Sequence, residues 1–184
     1  MMENRPLRLE APIDVDCLIL GGGITGAGIA RDAAMRGLRV LLIDSNDFAS
    51  GTSHLTSKLI HGGLRYLEHG HLRLVLEAVL ERDRLLNKMA PTLAWPMRFV
   101  IPFQTREVPK WLMTLGGLQV YGFMERIRRG RQSSPLMARH LARNYPLLRR
   151  HAFAVSFWDA QTNDARLVLS TLRTAERCGA MLRN

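Results

Sequence analysis

Three glycines, Gly21, Gly23 and Gly26, constrain this chain more than any other feature. They follow residues 16–20, a short run that is apolar after its first position, and they precede residues 24–36, rich in helix formers and small side chains. Gly37 stands where a helix would stop. Residues 40–43, Val-Leu-Leu-Ile, read as a second buried strand closing at Asp44. Strand, glycine turn, helix and strand within about 30 residues make one βαβ unit, and its crossover is right-handed. The class is α/β with a parallel sheet.

Each glycine has its own task. Gly21 permits the tight turn off the strand, Gly23 lets the backbone approach a pyrophosphate, and Gly26 lets the helix pack close to the sheet. Gly28 reads as a further close-packing position. Together with Gly22, Ile24 and Thr25, the turn presents N–H groups at a helix N-terminus, where the dipole favours an anion. Asp44 lies 18 residues beyond Gly26, with Ser45 beside it. A carboxylate there is placed to accept hydrogen bonds from a ribose diol, and it disfavours a 2′-phosphate. Glycine turns also arise for ordinary reasons, and an Asp can merely end a strand. The combined context points to a dinucleotide cleft, although FAD and NAD share this fingerprint.

Composition narrows the class further. The chain has 184 residues, 47% of them apolar, which suits a globular protein. No apolar run approaches the roughly 20 residues of a spanning helix, and residues 1–12 lack the apolar core of a signal peptide. A cytoplasmic start is expected. The two cysteines, Cys17 and Cys178, form no metal or redox spacing, and Cys17 reads as a buried free thiol. No metal site is expected. The formal charge is +10, with Arg126, Arg128, Arg129, Arg131, Arg139, Arg143, Arg149 and Arg150 in a stretch that has no acid between Glu125 and Asp159. Such a block is either a solvated face or a surface for an anionic partner. Lipid is the favoured partner, because the apolar residues 111–124 precede it. Nucleic acid, which favours aromatics interleaved with the charges, is not expected.

Downstream, residues 46–57 read as a polar loop and residues 72–89 as a long helix broken by Pro91 and Pro96. Residues 97–103 and 153–158 read as strands and residues 165–178 as a helix, which Gly179 ends before a strand at 180–182. The expected organisation is an N-terminal extension (1–12), the first part of a dinucleotide-binding domain (13–95), the start of a substrate and membrane-associating region (96–163), and a further αβ element (164–184).

A second motif resolves the cofactor. The run Ser57-Lys58-Leu59-Ile60-His61-Gly62-Gly63-Leu64-Arg65-Tyr66-Leu67-Glu68, following Gly51-Thr52-Ser53, closely resembles the FAD-dependent, membrane-associated sn-glycerol-3-phosphate dehydrogenase family. Met89-Ala90-Pro91, Trp95-Pro96-Met97-Arg98-Phe99 and Asp164-Ala165-Arg166-Leu167-Val168-Leu169 extend the resemblance over almost the whole chain. It implies a Rossmann-like FAD-binding unit of a two-domain flavoprotein, in the superfamily of D-amino-acid oxidase and glutathione reductase, with the start of an α+β substrate domain.

The resemblance also implies a reaction. Glycerol 3-phosphate would be oxidised to dihydroxyacetone phosphate, with hydride passing to FAD and electrons to a quinone at the inner face of the cell membrane. Thr52, Ser53 and Ser57 to Gly63 would line the cofactor, while Arg65 and Tyr66 would face the substrate. A guanidinium suits a phosphate dianion, although Arg65 could instead pair with Glu68. His61 is either a general base or a turn residue bonded to backbone. Asp44 departs from the family's Glu, and His54 stands where a small residue is expected. The family's catalytic base and a second flavin-contacting glycine segment lie beyond the residues present, so the chain reads as a fragment that does not turn over alone. A homodimer is the assembly open to the full-length family. Two alternatives stand: another FAD-dependent amine or amino-acid oxidase, and a non-catalytic FAD-binding remnant.

Overall fold

The structure, a computed structural model, describes residues 13–61, 71–126 and 134–184. In chain order its elements are β1 (Cys17–Leu20), α1 (Ile24–Met35), β2 (Val40–Ile43), β3 (Leu59–Ile60), α2 (Leu72–Arg84), β4 (Ala94–Phe103), α3 (Val108–Arg126), β5 (Ser134–Met137), α4 (Ala138–Asn144), β6 (Phe153–Thr162), α5 (Asp164–Arg177) and β7 (Met181–Arg183). They form two compact units, one from residues up to Thr56 together with Asp164–Asn184, the other from Ser57–Asn163.

The first unit is a parallel sheet in the order β1-β2-β7. Its helices pack through small side chains. Ala27, Ala30, Ala33 and Ala34 of α1 recur at helical spacing and are buried with Val168, Leu172 and Ala175 of α5. Ile19, Val40 and Leu42 from the sheet complete this core. A stripe of methyl groups on α1 lets it approach α5 closely. The helix α1 ends at Gly37, whose φ of 84° allows Leu38 N–H to reach Ala33 O at 3.1 Å. Arg39 bridges to Asp16 at 2.7 Å, which ties the start of β2 to that of β1 and holds the Asp16 carboxyl down at about 2.

The second unit is antiparallel around β6. All ten residues of β6 pair with β4 along one edge. On the opposite edge β3 meets Ala160 and Gln161, and β5 meets Phe153 to Ser156. One face carries Phe99, Ile101, Phe103, Val155 and Phe157 against Val75 and Val79 of α2 and Leu118 of α3. Towards one end, the other face carries Val100, Leu136 and Ala154 against Leu141, Tyr145 and Leu148.

Several expectations change here. Pro96 does not break a helix but lies inside β4, opposite Ala160. An edge strand tolerates a residue without an N–H, because that position faces away from the ladder. The helix expected over residues 72–89 is α-helical to Arg84 and continues as a π turn, Leu85–Met89. Within the Arg block, Arg128, Arg129 and Arg131 lie outside the described residues, the strand Ser134–Met137 carries no arginine, and Arg139, Arg143, Arg149 and Arg150 are exposed. Cys17 is half-buried rather than buried, although both cysteines are free. Among the described residues no helix is long and apolar enough to cross a membrane, and no cluster of His, Cys, Asp or Glu could hold a metal.

Candidate cofactor site

A cleft of about 490 Å³ opens where β1 runs into α1. Gly21, with φ of 107°, makes the turn and donates its N–H to Ile43 O of β2 at 2.8 Å. A side chain there would be strained by the backbone alone. Gly26 is needed for another reason: a Cβ on it would lie 1.9 Å from Gly21 O. The helix therefore touches the turn backbone to backbone, as the glycine spacing predicts. Gly28 differs from expectation, because a Cβ on it meets nothing within 4 Å. It is exposed and does not set the packing.

Asp44 closes the turn from the end of β2. Its Oδ2 accepts Gly22 N–H at 2.6 Å and its Oδ1 accepts Asn46 N–H at 2.9 Å. The Gly22 bond, and after it the Asn46 bond, hold the carboxyl below its ordinary value of 3.8. With the Ser45 N–H also directed at the carboxylate, one of its four lone-pair positions stays open to another donor. Gly22 is itself buried against Phe48, and a Cβ on it would meet that ring at 2.4 Å. The loop beyond returns over the turn, with Ala49 N–H bonded to Gly22 O at 3.1 Å. Ser53 completes the arrangement, since its Oγ accepts Ile24 N–H at 3.0 Å, at the N-terminus of α1. That hydroxyl also stands 3.1 Å from where a Gly23 Cβ would be.

The site therefore gathers Gly21, Gly23, Ile24, Thr25, Gly26, Asp44, Thr52 and Ser53, all of which line the cleft. Gly22 and Ser45 sit beside it, Gly22 committed to Asp44 and Ser45 accepting from Asn46 Nδ2 at 3.1 Å. Sequence reasoning missed Asn46, Ala49, Ser50 and Gly51, which also line the cleft. Their small, polar composition was visible, but nothing in it fixed which way the loop folds.

The second motif belongs to the other unit. Lys58 there adopts φ of 60°, and its carbonyl accepts Thr162 N–H at 2.9 Å as Leu59 and Ile60 enter β3. Ser57 and His61 are exposed on either side. Gly62, Gly63, Arg65 and Tyr66 lie outside the described residues.

A parallel βαβ unit with a glycine turn, a helix N-terminus and an acidic residue after the second strand defines a dinucleotide-binding oxidoreductase fold. The description "FAD dependent oxidoreductase" matches residues 16–184, and the chain belongs to that family, whose cofactor is FAD. It is 42% identical over 175 residues to D-erythritol 1-phosphate dehydrogenase of Brucella abortus, covering 95% of this chain and 34% of that one. It is 44% identical over 164 residues to the aerobic glycerol-3-phosphate dehydrogenase of Escherichia coli, covering 89% and 32%. The glycerol-3-phosphate dehydrogenase of Bacillus halodurans, solved with FAD, superposes with a TM-score of 0.62 at 29% identity, over 93% of this chain and 26% of that one. The chain spans about a third of the length of the two curated relatives.

The residues present fit the cofactor's pyrophosphate and ribose. A side chain on Gly23 would press on the Ser53 hydroxyl at 3.1 Å, the first residues of α1 line the cleft, and Asp44 supplies an acceptor in its lining.

Proposed function

We propose that the chain is the cofactor-holding part of an FAD-dependent dehydrogenase acting on a phosphorylated polyol, with glycerol 3-phosphate as the substrate and dihydroxyacetone phosphate as the product. The observation that carries this reading is the 42–44% identity to two polyol-phosphate dehydrogenases over nine-tenths of the chain. In the reaction the C2 hydroxyl loses its proton and C2 its hydride. Bound FAD supplies the hydride acceptor, and a quinone takes the electrons onward. Gly21 to Gly26 and Ser53 hold the pyrophosphate, Asp44 the ribose, and Arg65 and Tyr66 the substrate. D-erythritol 1-phosphate is the second reading, favoured by the relative from Brucella abortus.

Peripheral contact with an anionic membrane belongs to the same proposal. Leu147 is 96% exposed on the 3-10 turn Pro146–Leu148. In the preceding helix α4 and just after the turn, Arg139, Arg143, Arg149 and Arg150 are exposed, and none makes an ion pair among the described residues.

The test uses a hybrid in which this chain replaces the matching third of the Escherichia coli enzyme. The hybrid is loaded with FAD and titrated without oxygen. Bleaching of the flavin by glycerol 3-phosphate or D-erythritol 1-phosphate, but not by glycerol or amino acids, is the expected result. A hybrid that keeps its flavin yet responds only to an amino acid would sink the reading.

A further inference from the structure

The antiparallel sheet carries a polar cluster that neither its own packing nor the cofactor cleft uses. In β4 and β6, Arg98 stands opposite Trp158 and Val100 opposite Ser156, while β5 brings Ser134 opposite Ser156 from the other edge. Arg98 Nη2 donates to Ser156 Oγ at 3.0 Å, and its guanidinium carbon lies 6.0 Å from the centre of the Trp158 ring. Ser156 is 1% exposed, with its Oγ 2.8 Å from Ser134 Oγ and within reach of Ser134 O at 3.2 Å.

A buried hydroxyl on a sheet face is costly unless it is bonded, and here the bonding is spent on fixing a guanidinium in place. Arg98 nevertheless stays exposed, and among the described residues it pairs with no carboxylate. That separates it from Arg139 and Arg143, which stand in solvent without an anchor. One of its five donors faces Ser156, so the rest of the fork is free to meet an anion. The aromatic ring beside it shields one side from water and strengthens whatever charge pairing forms there.

We propose that Arg98, stacked beside Trp158 and positioned by Ser156, binds the phosphate monoester group of the polyol substrate. This rests on the polyol-phosphate reading. Arg98 is a binding residue, and Ser156 is a positioning residue that acts through it. Lysine would keep the charge but lose the planar fork that matches two phosphate oxygens.

The experiment uses the FAD-loaded protein and three probes: inorganic phosphate, glycerol 3-phosphate and glycerol. Calorimetry should give a Kd for both phosphates, raised on the order of tenfold by Arg98→Ala and less by Arg98→Lys, with glycerol indifferent to either change. Ser156→Ala should weaken phosphate while leaving FAD affinity unchanged, which a merely structural role would not do. Independently of any variant, phenylglyoxal should label Arg98 in the native protein, and phosphate should protect it, as read by peptide mass. Phosphate affinity unchanged within about twofold in a folded Arg98→Ala protein, or labelling that phosphate does not slow, overturns the proposal. If phosphate binds through Arg98 while no phosphorylated polyol reduces the flavin, the anion site stands and the polyol-phosphate function falls.

Discussion

Gly26 and Gly28 sit two positions apart on α1 and take an added methyl group in opposite ways. Gly26→Ala forces a carbon into Gly21 O and should cost about 1–3 kcal/mol, with FAD retention lost. Gly28→Ala meets open space and removes a helix glycine, so it should gain about 0.5–1 kcal/mol with FAD binding intact. Chemical denaturation and flavin absorbance check both. Asp44 makes a third prediction. Its folded carboxyl lies below the ordinary 3.8, so the stability it contributes is complete above 3.8 and is lost as pH falls through the lower folded value. Asp44→Ala should cost about 1–3 kcal/mol near neutrality, and the gap from the parent should close only below that value. A gap already closing near pH 6 would contradict this. At this scale the sequence was informative where one residue type does one physical job. The glycine spacing foretold the turn and the close approach at Gly26, because no other side chain fits there. It misread Gly28, since whether a glycine has a neighbour depends on what packs across from it.

Among the elements, α2 and β6 are joined by an ion pair that periodicity could not announce. Arg82 Nη1 meets Asp159 Oδ1 at 2.5 Å and Trp158 O at 3.2 Å, with Arg82 3% and Asp159 6% exposed. Removing one partner leaves a charge in a dry site, so Arg82→Met or Asp159→Ala alone should each cost about 3–5 kcal/mol. The double variant should cost less than their sum, as a double-mutant cycle in denaturant would read. Simple additivity would show that the pair does not couple the helix to the strand. The elements that could be read from sequence were those with a strong period or a clear stop, such as α1 with Gly37 and α5 with Gly179. The ones that could not were β5 and α4. The strand β5 is four residues long and contains Pro135, and α4 is seven residues with only Leu141 buried. Neither is long enough to show a period, and it is pairing with β6 that makes β5 a strand. Pro96 misled for a related reason, since a proline reads as a breaker until the strand is known to lie at an edge.

For the whole molecule, the surface charge makes the clearest claim. The protein should float with anionic vesicles at about 0.1 M salt and dissociate near 1 M, because the screening length falls from about 10 to 3 Å. Leu147→Glu should weaken flotation, since that leucine is the protruding apolar group among the arginines. Binding indifferent to lipid charge and to salt would argue against the membrane surface. The division into two units has a consequence of a different kind. The first unit is assembled from both ends of the chain, with residues 57–163 inserted between them. During synthesis β2 must therefore wait for β7, and the alanine face of α1 for α5, until the inserted unit has been made. The strand pairing of β2 with β7 closes a very long loop, which is entropically slow but gains little further penalty from added length. The nascent glycine turn thus spends most of its translation time without the helix that buries its scaffold. The cofactor cleft is one of the last features of this chain to become permanent.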